Sequence, residues 1–307
     1  METNLRQSES TVRIQGYLAE KNLEKLTDPS GNNIIRGTVS IKTNETNTVT
    51  MRVYVTEKTK KGTPNPGWSS VTALLDNYHS IADVGVEGAT IVAVNGGRYD
   101  PQHFMTKDGR QVEGAPRYSS SFYRSLENNE EVRSRFRADM DVEAYVQNVR
   151  PEFKIVDGNE EETGRLICDV WVNTYNGLEK SSFIVKQEEA AAFQATVTQG
   201  QTREFYVDIV NTETRTTIHK AASFGKGRDE EIVRRSHEQI ITGASDDYAT
   251  SGDPVLMEKA FPEDAIQAAI REYYQGLEAQ KNSMSSDEKL KRAPASGNTG
   301  SAPIPTW

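Results

Sequence analysis

Alternating apolar and polar residues predict three β-strands near the start of the chain. Residues 11–19 place Val12, Ile14 and Leu18 on one face, with Gly16 at a position suited to a bend. Residues 34–42 and 48–55 alternate in the same way around the polar turn Asn-Glu-Thr-Asn, which predicts a hairpin. The apolar face of that hairpin would close a core. Its other face carries candidate binding residues, which are Arg36, Lys42, Arg52 and Tyr54.

The next segments predict one helix and two further strands. Helical spacing of apolar residues begins after Trp68, where Ser69 or Ser70 is placed to cap the helix. A central strand then ends at Gly96 and Gly97, a pair that favours a bend or bulge over a phosphate site because no helix pattern follows it. A polar stretch leads to a fifth strand over residues 117–126. Three strands, a helix and two more strands is the element order of an OB-type barrel.

The same order of patterns then repeats, which predicts a second barrel. Strand-like alternation returns in residues 141–149, 164–174 and 178–186, and is followed by a helix-like segment at 188–195. The fourth and fifth strands would be residues 203–211 and 215–225. The predicted fold class is mainly β with some α, built of tandem five-stranded OB-type barrels. The predicted units are a first barrel (1–126), a linker (127–141), a second barrel (142–227), a helical extension that packs on a barrel (228–281) and a disordered tail (282–307).

Composition narrows the possible functions of this 307-residue chain. The net charge of −9 argues against a protein that is basic all over, although a single groove can still be basic. Cys168 is the only cysteine and the four histidines are scattered, so we predict neither a metal nor another cofactor. No run approaches the roughly 18 apolar residues that span a membrane, and the N-terminus lacks a signal-peptide pattern. We therefore expect a cytoplasmic protein, and the missing catalytic motifs predict that it is not an enzyme.

Residues 96–125 interleave basic and aromatic side chains within an acidic chain. This combination is typical of a groove in which cations follow a phosphate backbone and rings stack on bases. Strand parity requires some of these rings to be core, Phe122 or Tyr123 above all. Arg133, Arg135 and Arg137 either extend a phosphate track or are simply solvated. The candidates for nucleic-acid contact in this stretch are Arg98, Tyr99, Phe104, Lys107, Arg110, Arg117 and Tyr118.

Trp171 is the candidate contact in the second half. The alternation that buries Leu166 and Cys168 turns this Trp to the other face of its strand. An outward Trp in mid-strand needs a partner, because a large apolar surface gains nothing from contact with water. Trp171 is therefore either a platform for base stacking or a residue covered by the linker or the C-terminal helix.

Two segments resemble those of a known family. The run "GATIVAVNGGRYDPQHFMTKDGRQVEG" is similar to the fourth and fifth strands of single-stranded DNA-binding proteins with OB folds. The tail, whose tip holds Ile304, Pro305 and Trp307, is similar to the tails by which bacterial and phage members recruit partners. Tandem barrels followed by a helical segment look like the phage or prophage type. The resemblance implies sequence-tolerant binding of single-stranded DNA in replication, recombination and repair inside a bacterial host, with replication or recombination proteins docking on the tip.

Two other functions remain open at this point. The barrels can belong to a non-catalytic structural or adaptor protein, such as a virion component, whose outward aromatic residues anchor protein contacts. An enzyme that uses an OB domain to hold a nucleic acid is the third possibility, although no catalytic set accompanies the barrels.

Overall fold

Strands dominate the part of the chain that the computed structural model describes, which is residues 5–106, 110–220, 224 and 226–292. The strands are β1 (Ser10–Thr27), β2 (Asn33–Lys42), β3 (Thr48–Thr56), β4 (Ile91–Met105), β5 (Gln111–Ser119), β6 (Arg124–Leu126), β7 (Arg137–Val156), β8 (Asn159–Thr174), β9 (Gly177–Val185), β10 (Thr202–Lys220) and β11 (Arg228–Ala244). The helices are α1 (Pro66–Asn77), α2 (Ile81–Gly88), α3 (Glu130–Arg133), α4 (Ala190–Thr196), α5 (Pro254–Lys259) and α6 (Glu263–Arg292).

These strands close into two rings of the same topology. The first ring runs β1–β2–β3–β5–β4 and returns to β1, with β3 and β5 parallel. The second runs β7–β8–β9–β11–β10 and returns to β7, with β9 and β11 parallel. A five-stranded ring with this order is an OB-type barrel. The predicted fold class is therefore confirmed.

Glycines allow the first barrel to close where the alternation predicts a bend. A Cβ atom on Gly16 would lie 2.2 Å from the carbonyl oxygen of Lys42, so β1 and β2 approach each other too closely for any side chain there. Gly96 has a φ of 88° and lies between two residues whose register with β1 shifts. The glycine pair is thus a bulge, as predicted, and β4 continues through it to Met105.

Several element boundaries in the first half differ from the prediction. Asn65 caps α1, accepting a hydrogen bond from the Gly67 amide, because Pro66 begins the helix earlier than the apolar spacing indicated. The helix α2, which is capped by Ser80, was not predicted. The fifth strand is β5 rather than residues 117–126, because the polar stretch before residue 117 pairs with β4 as a hairpin. Within the predicted linker lies α3, and β7 already begins at Arg137.

The last strand of the second barrel was also misplaced. Residues 215–220 still belong to β10, and β11 occupies 228–244, where the sequence indicated helical character. The two strands pair from Phe205 opposite Ala244 out to Lys220 opposite Arg228. The outer half of this ribbon has no apolar alternation because much of it is exposed to solvent. Helical structure begins instead with a short 3-10 turn at Tyr248–Thr250.

The two barrels share one sheet because their first strands pair with each other. The N-terminal half of β1 runs antiparallel to the start of β7, from Ser10 opposite Val142 to Gln15 opposite Arg137. Arg13 crosses this seam and donates hydrogen bonds to Asp139 (2.6 Å) and to both carboxylate oxygens of Asp141 (2.5 Å). These acceptors raise the pKa of Arg13. Apolar side chains from both barrels also pack in one continuous core.

The turn between β2 and β3 makes a second junction, where Asn47 binds the backbone of β10. Its Nδ2 donates to the Ile209 carbonyl oxygen (2.8 Å), and its Oδ1 accepts from the Asn211 amide (2.8 Å). Asn47 is buried, so its hydrogen bond to Ile209 is shielded from water and the one from Asn211 is partly shielded. The edge of the hairpin is thereby fixed against the second barrel.

We expect Asn47→Ala to lower the free energy of unfolding by about 2 kcal/mol, because two buried backbone groups of β10 lose their partner. Urea denaturation followed by circular dichroism measures this loss. Glu45→Ala, in the exposed part of the same turn, is the control and should stay within about 0.5 kcal/mol of the parent protein. Equal stability of the two variants would show that Asn47 does not join the barrels.

The helix α6 covers one face of the second barrel. The peptide carbonyl of Pro262 accepts from the Ile266 amide (2.9 Å) at the start of the helix, and apolar residues of α6 pack in a cluster with the second barrel. This cluster consists of Tyr145, Trp171, Leu178, Phe261, Ile266 and Ala269, with Ile270 and Tyr273 packed against it. None of the helices in the described residues is long and apolar enough to cross a membrane.

Candidate nucleic-acid interface

Three adjacent strands of the first barrel bring arginines together on its outer face. Arg52 on β3 lies opposite Ser119 on β5, and Ser119 lies opposite Arg98 on β4. Arg117 is two residues before Ser119, so its side chain points to the same side of β5. Since neighbouring strands are about 4.8 Å apart, Arg52 and Arg98 start about 10 Å from each other. The register therefore builds one basic surface from residues that are far apart in sequence.

The positive charges of this surface are offset only in part by the protein, through the nearby carboxylate of Asp100. Within the described part of the chain, no carboxylate lies within ion-pair distance of Arg52, Arg98 or Arg117. Other arginines are engaged in the structure, such as Arg36 with Glu24 (2.6 Å). The three arginines of the outer face can therefore meet an anionic ligand without first breaking an ion pair.

Two exposed aromatic rings flank the arginines. Tyr54 follows Arg52 on the same face of β3 and is 62% exposed, and Phe122 in the turn after β5 is 53% exposed. Exposed rings suit stacking against a flat ligand. With the arginines and their neighbours they line a cleft of about 510 Å³. We call it the arginine cleft, and its lining is Arg52, Tyr54, Gly96, Arg98, Asp100, Arg117, Ser119, Ser120, Ser121 and Phe122.

The backbone around Phe122 explains why this ring faces outward. Ser70 on α1 accepts a hydrogen bond from the Tyr123 amide (2.7 Å) and donates one to the Tyr123 carbonyl oxygen (2.9 Å). Tyr123 is consequently held in the core, where it is 4% exposed. Ser120 Oγ accepts from the Phe122 amide (3.0 Å) and fixes the preceding turn. With its neighbour anchored inward, Phe122 must point into the cleft.

Asp100 is the single acidic residue in the lining. It lies opposite Arg117 in the β4–β5 register and is partly buried. Burial raises the pKa of Asp100, and the nearby positive charge of Arg117 opposes that shift. Gln102 Nε2 donates to its Oδ2 (3.2 Å). The cleft thus combines three cations with one carboxylate and has a net positive charge.

The structure brings together Arg52, Tyr54, Arg98 and Arg117, all four of which were predicted as contacts. Arg36 is the register partner of Tyr54, but it does not line the cleft and pairs with Glu24 instead. The other predicted residue of the hairpin, Lys42, lies elsewhere. It lines a groove of about 1050 Å³ between β2–β3 and the β10–β11 ribbon. That groove also contains Glu20, Glu45 and Glu213, so it is not the basic track that the sequence suggested.

Two predicted contacts, Tyr99 and Tyr118, are buried between the barrels, so their assignment to a binding surface is corrected. Tyr99 is 5% exposed; its hydroxyl donates to Gln239 Oε1 (3.2 Å) and shares a hydrogen bond with Ser181 (2.5 Å). Gln239 Nε2 donates in turn to the Tyr118 hydroxyl (3.0 Å). Burial raises the pKa of both phenols. Strand parity turns these rings inward, opposite to the arginines beside them.

The outer part of the β4–β5 hairpin lies away from the cleft. Phe104 is 54% exposed, but it follows Arg98 by six positions on the same strand, which is about 20 Å of extended chain. Arg110 begins the return of the hairpin at the same end and is exposed. Lys107 lies outside the described residues. The structure therefore does not place Phe104 and Arg110 in the cleft with Arg98.

Trp171 is buried rather than available to a base, which corrects the second predicted binding surface. It does face away from the barrel interior, but α6 covers it completely, at 0% exposure. Tyr273 and Tyr274 contact its ring edge to face, with centroid distances of 5.0 and 6.0 Å. Lys180 lies 5.5 Å from the ring centroid. The sequence had left this covered arrangement open as the alternative.

The remaining candidates fall in two groups. Arg135 pairs with Glu131 (2.6 Å), and Arg133 donates to Asn128 (2.7 Å), so these arginines are engaged by their own helix and turn rather than forming a free track. The tail residues Ile304, Pro305 and Trp307 lie outside the described residues.

Sequence reasoning missed part of the lining. The sequence predicts Phe122 or Tyr123 as core and places the serines beside them in a strand, and it assigns Asp100 no role. The run Ser-Ser-Ser-Phe-Tyr indicates a turn, because serine side chains that bind backbone groups favour turns. A turn at this point decides whether Phe122 or Tyr123 faces inward.

The fold and the site define the class of this protein. It consists of two fused OB-type barrels, and the first barrel carries a cleft lined by basic and aromatic residues. Within that class, the chain belongs to the YorF family, whose sequence profile matches residues 9–284. No curated protein matches the chain by sequence.

Solved structures provide a weak likeness at low sequence identity. The chain is similar to the single-stranded DNA-binding protein from Thermus aquaticus over 78% of this chain and 94% of that chain, with a TM-score of 0.43 and 10% identity. A deletion mutant of that protein matches 78% of this chain and 95% of that chain, with a TM-score of 0.40 and 12% identity. A replication protein A heterotrimer bound to single-stranded DNA matches 81% of this chain and 69% of that chain, with a TM-score of 0.22 and 10% identity. TM-scores this low do not indicate a function.

Proposed function

We propose that the protein binds single-stranded DNA in the arginine cleft and tolerates most sequences. One observation carries the proposal: three unpaired arginines from three adjacent strands share a cleft with two exposed rings. The arginines match phosphates, and the rings of Tyr54 and Phe122 match bases that are free to unstack. Bases inside a duplex present only their edges, so a stacking surface of this kind selects single strands.

The shape of the cleft agrees with this ligand. It is a half-open cleft with a mixed polar and apolar lining rather than an enclosed apolar pocket, as expected for a site that follows a chain. Its width of about 10 Å between Arg52 and Arg98 suits a strand that crosses the sheet with phosphates on both sides of a stacked base. The acidic remainder of the surface would repel a strand elsewhere and confine it to the cleft.

Binding of a labelled oligo-dT of about 15 nucleotides, followed by fluorescence anisotropy, tests this proposal. Affinity should fall as salt rises, with a slope of log K against log salt near −2, since each phosphate contact contributes about −0.7 and three arginines are available. Because Trp171 is buried away from the cleft, we do not expect the strand to quench the fluorescence of this residue. A duplex of equal length is the control. Equal affinity for the duplex, or no binding of oligo-dT at low salt, would refute the proposal.

The wider role rests on this binding. A protein that coats exposed strands would protect them in replication, recombination and repair, and we propose this role in a phage or prophage within the bacterial cytoplasm. The tip with Ile304, Pro305 and Trp307 is the segment we propose for docking replication or recombination proteins. Pull-down of host proteins with the full chain, compared with a chain lacking the tip, tests the docking separately from DNA binding.

A further inference from the structure

An acid in a phosphate-binding cleft needs an explanation, because it repels the backbone that the arginines attract. Asp100 occupies this position: it lines the arginine cleft between Arg98 on its own strand and Arg117 on the next. Neutralising one of these arginines would account for it, but within the described residues neither makes an ion pair with the carboxylate. Asp100 is therefore not simply the partner of a neighbouring arginine.

The carboxylate of Asp100 has free acceptor capacity. Oδ2 accepts one hydrogen bond, from Gln102, and Oδ1 accepts none from any described side chain or amide. An ionised carboxylate offers about four lone-pair sites, so at least one oxygen can accept from a ligand. Phosphates have no donor to give it. The donors of a DNA strand are on its bases, and the rings of Tyr54 and Phe122 are placed to hold a base in this cleft.

We infer that Asp100 reads an exocyclic amine, so that the cleft prefers cytosine to uracil or thymine at one position. This inference rests on the proposed function. Cytosine presents its N4 amine as a donor, and Asp is a known kind of acceptor for that group. Uracil and thymine present a carbonyl oxygen at the same place, which a carboxylate repels, and their N3–H lies between two such oxygens. The rings accept either base, so the carboxylate supplies the discrimination.

Anisotropy titrations with oligo-dC and oligo-dU of about 15 nucleotides test the inference, because these strands differ only at the 4-position and N3. We expect oligo-dC to bind about tenfold more tightly, the value of one hydrogen bond to a charged group. Asp100→Ala and Asp100→Asn should abolish the preference and raise the affinity for oligo-dU, whose 4-carbonyl oxygen no longer faces a carboxylate. Asp76→Asn, which removes an equal charge from an exposed position on α1, should leave the preference intact.

A change in the DNA gives the same test without altering the protein. Oligonucleotides of N4,N4-dimethyl-deoxycytidine keep the cytosine ring but lack the N–H donors, so they should bind no better than oligo-dU. Equal binding of oligo-dC and oligo-dU by the parent protein would overturn the inference and leave the proposed function standing. A preference that survives in both Asp100 variants would also overturn it. Failure of every strand to bind would instead refute the proposed function, and the inference with it.

Discussion

Replacing Tyr54 and Phe122 together by alanine should weaken binding of single-stranded DNA about a hundredfold. Each ring contributes roughly 1–3 kcal/mol by stacking on a base, and two such losses amount to about 3 kcal/mol. The double variant should fold normally, since both side chains are more than half exposed and make little of the core. Anisotropy with oligo-dT measures the affinity, and thermal denaturation followed by circular dichroism checks the fold. The salt dependence should not change, because the arginines remain.

Phe104→Ala is the matched control for this experiment. Phe104 is as exposed as Phe122, at 54% against 53%, but it lies near the far end of the β4–β5 hairpin. Affinity should therefore change less than about twofold. If Phe104→Ala weakens binding as much as the double variant does, the DNA strand binds along the β4–β5 hairpin rather than in the arginine cleft.

Trp171→Ala should destabilise the protein by about 4 kcal/mol while leaving DNA affinity of the folded chain unchanged. The loss combines the transfer of a fully buried indole with the cavity it leaves under α6. Trp171→Phe should cost less than half of this, because the indole Nε1 hydrogen-bonds to no described group and a phenyl ring preserves most of the contacts with Tyr273 and Tyr274. Urea denaturation gives both values, and oligo-dT anisotropy gives the affinity.

Tyr175→Ala provides the comparison for Trp171. Tyr175 follows the same strand but is 79% exposed, so its loss should change stability by less than about 0.5 kcal/mol. A Trp171→Ala protein that is as stable as the parent but binds oligo-dT tenfold more weakly would contradict the covered position, and would restore the stacking surface that the sequence suggested.

Local patterns predicted the barrels well. Strict alternation in β2 and β3 located the inner face of Val39, Val49 and Met51 and the outer face of Arg52 and Tyr54, because one side of this hairpin is buried and the other faces solvent. The order of strands and helix then sufficed for the OB class. The glycine pair at residues 96 and 97 was recognised as a bend or bulge because no helix pattern follows it, although the strand was expected to end there and instead continues to Met105.

Long-range packing decided what the patterns could not. Tyr99 and Tyr118 looked like surface rings among arginines, yet a polar contact with Gln239 of the second barrel buries them. Trp171 was correctly assigned to the outer side of its strand, but a helix that lies about 100 residues later in the chain covers that side. The charged strand β11 lacks alternation of apolar and polar residues because solvent surrounds much of its length. Its backbone pairs with β10. None of these contacts leaves a periodic signature in the sequence.

The pairing of β1 with β7 makes the chain resemble a dimer contained in one molecule. Equivalent strands of the two barrels meet antiparallel, as the same strand of two identical subunits would across a two-fold axis. Each barrel thereby covers the open edge of the other, between Ser10 and Gln15 on one side and Arg137 and Val142 on the other. A first barrel cut out at residue 126 would expose that edge and should associate with copies of itself. Separating the two halves of the chain would therefore expose an unpaired strand edge on each, although each closes its own ring.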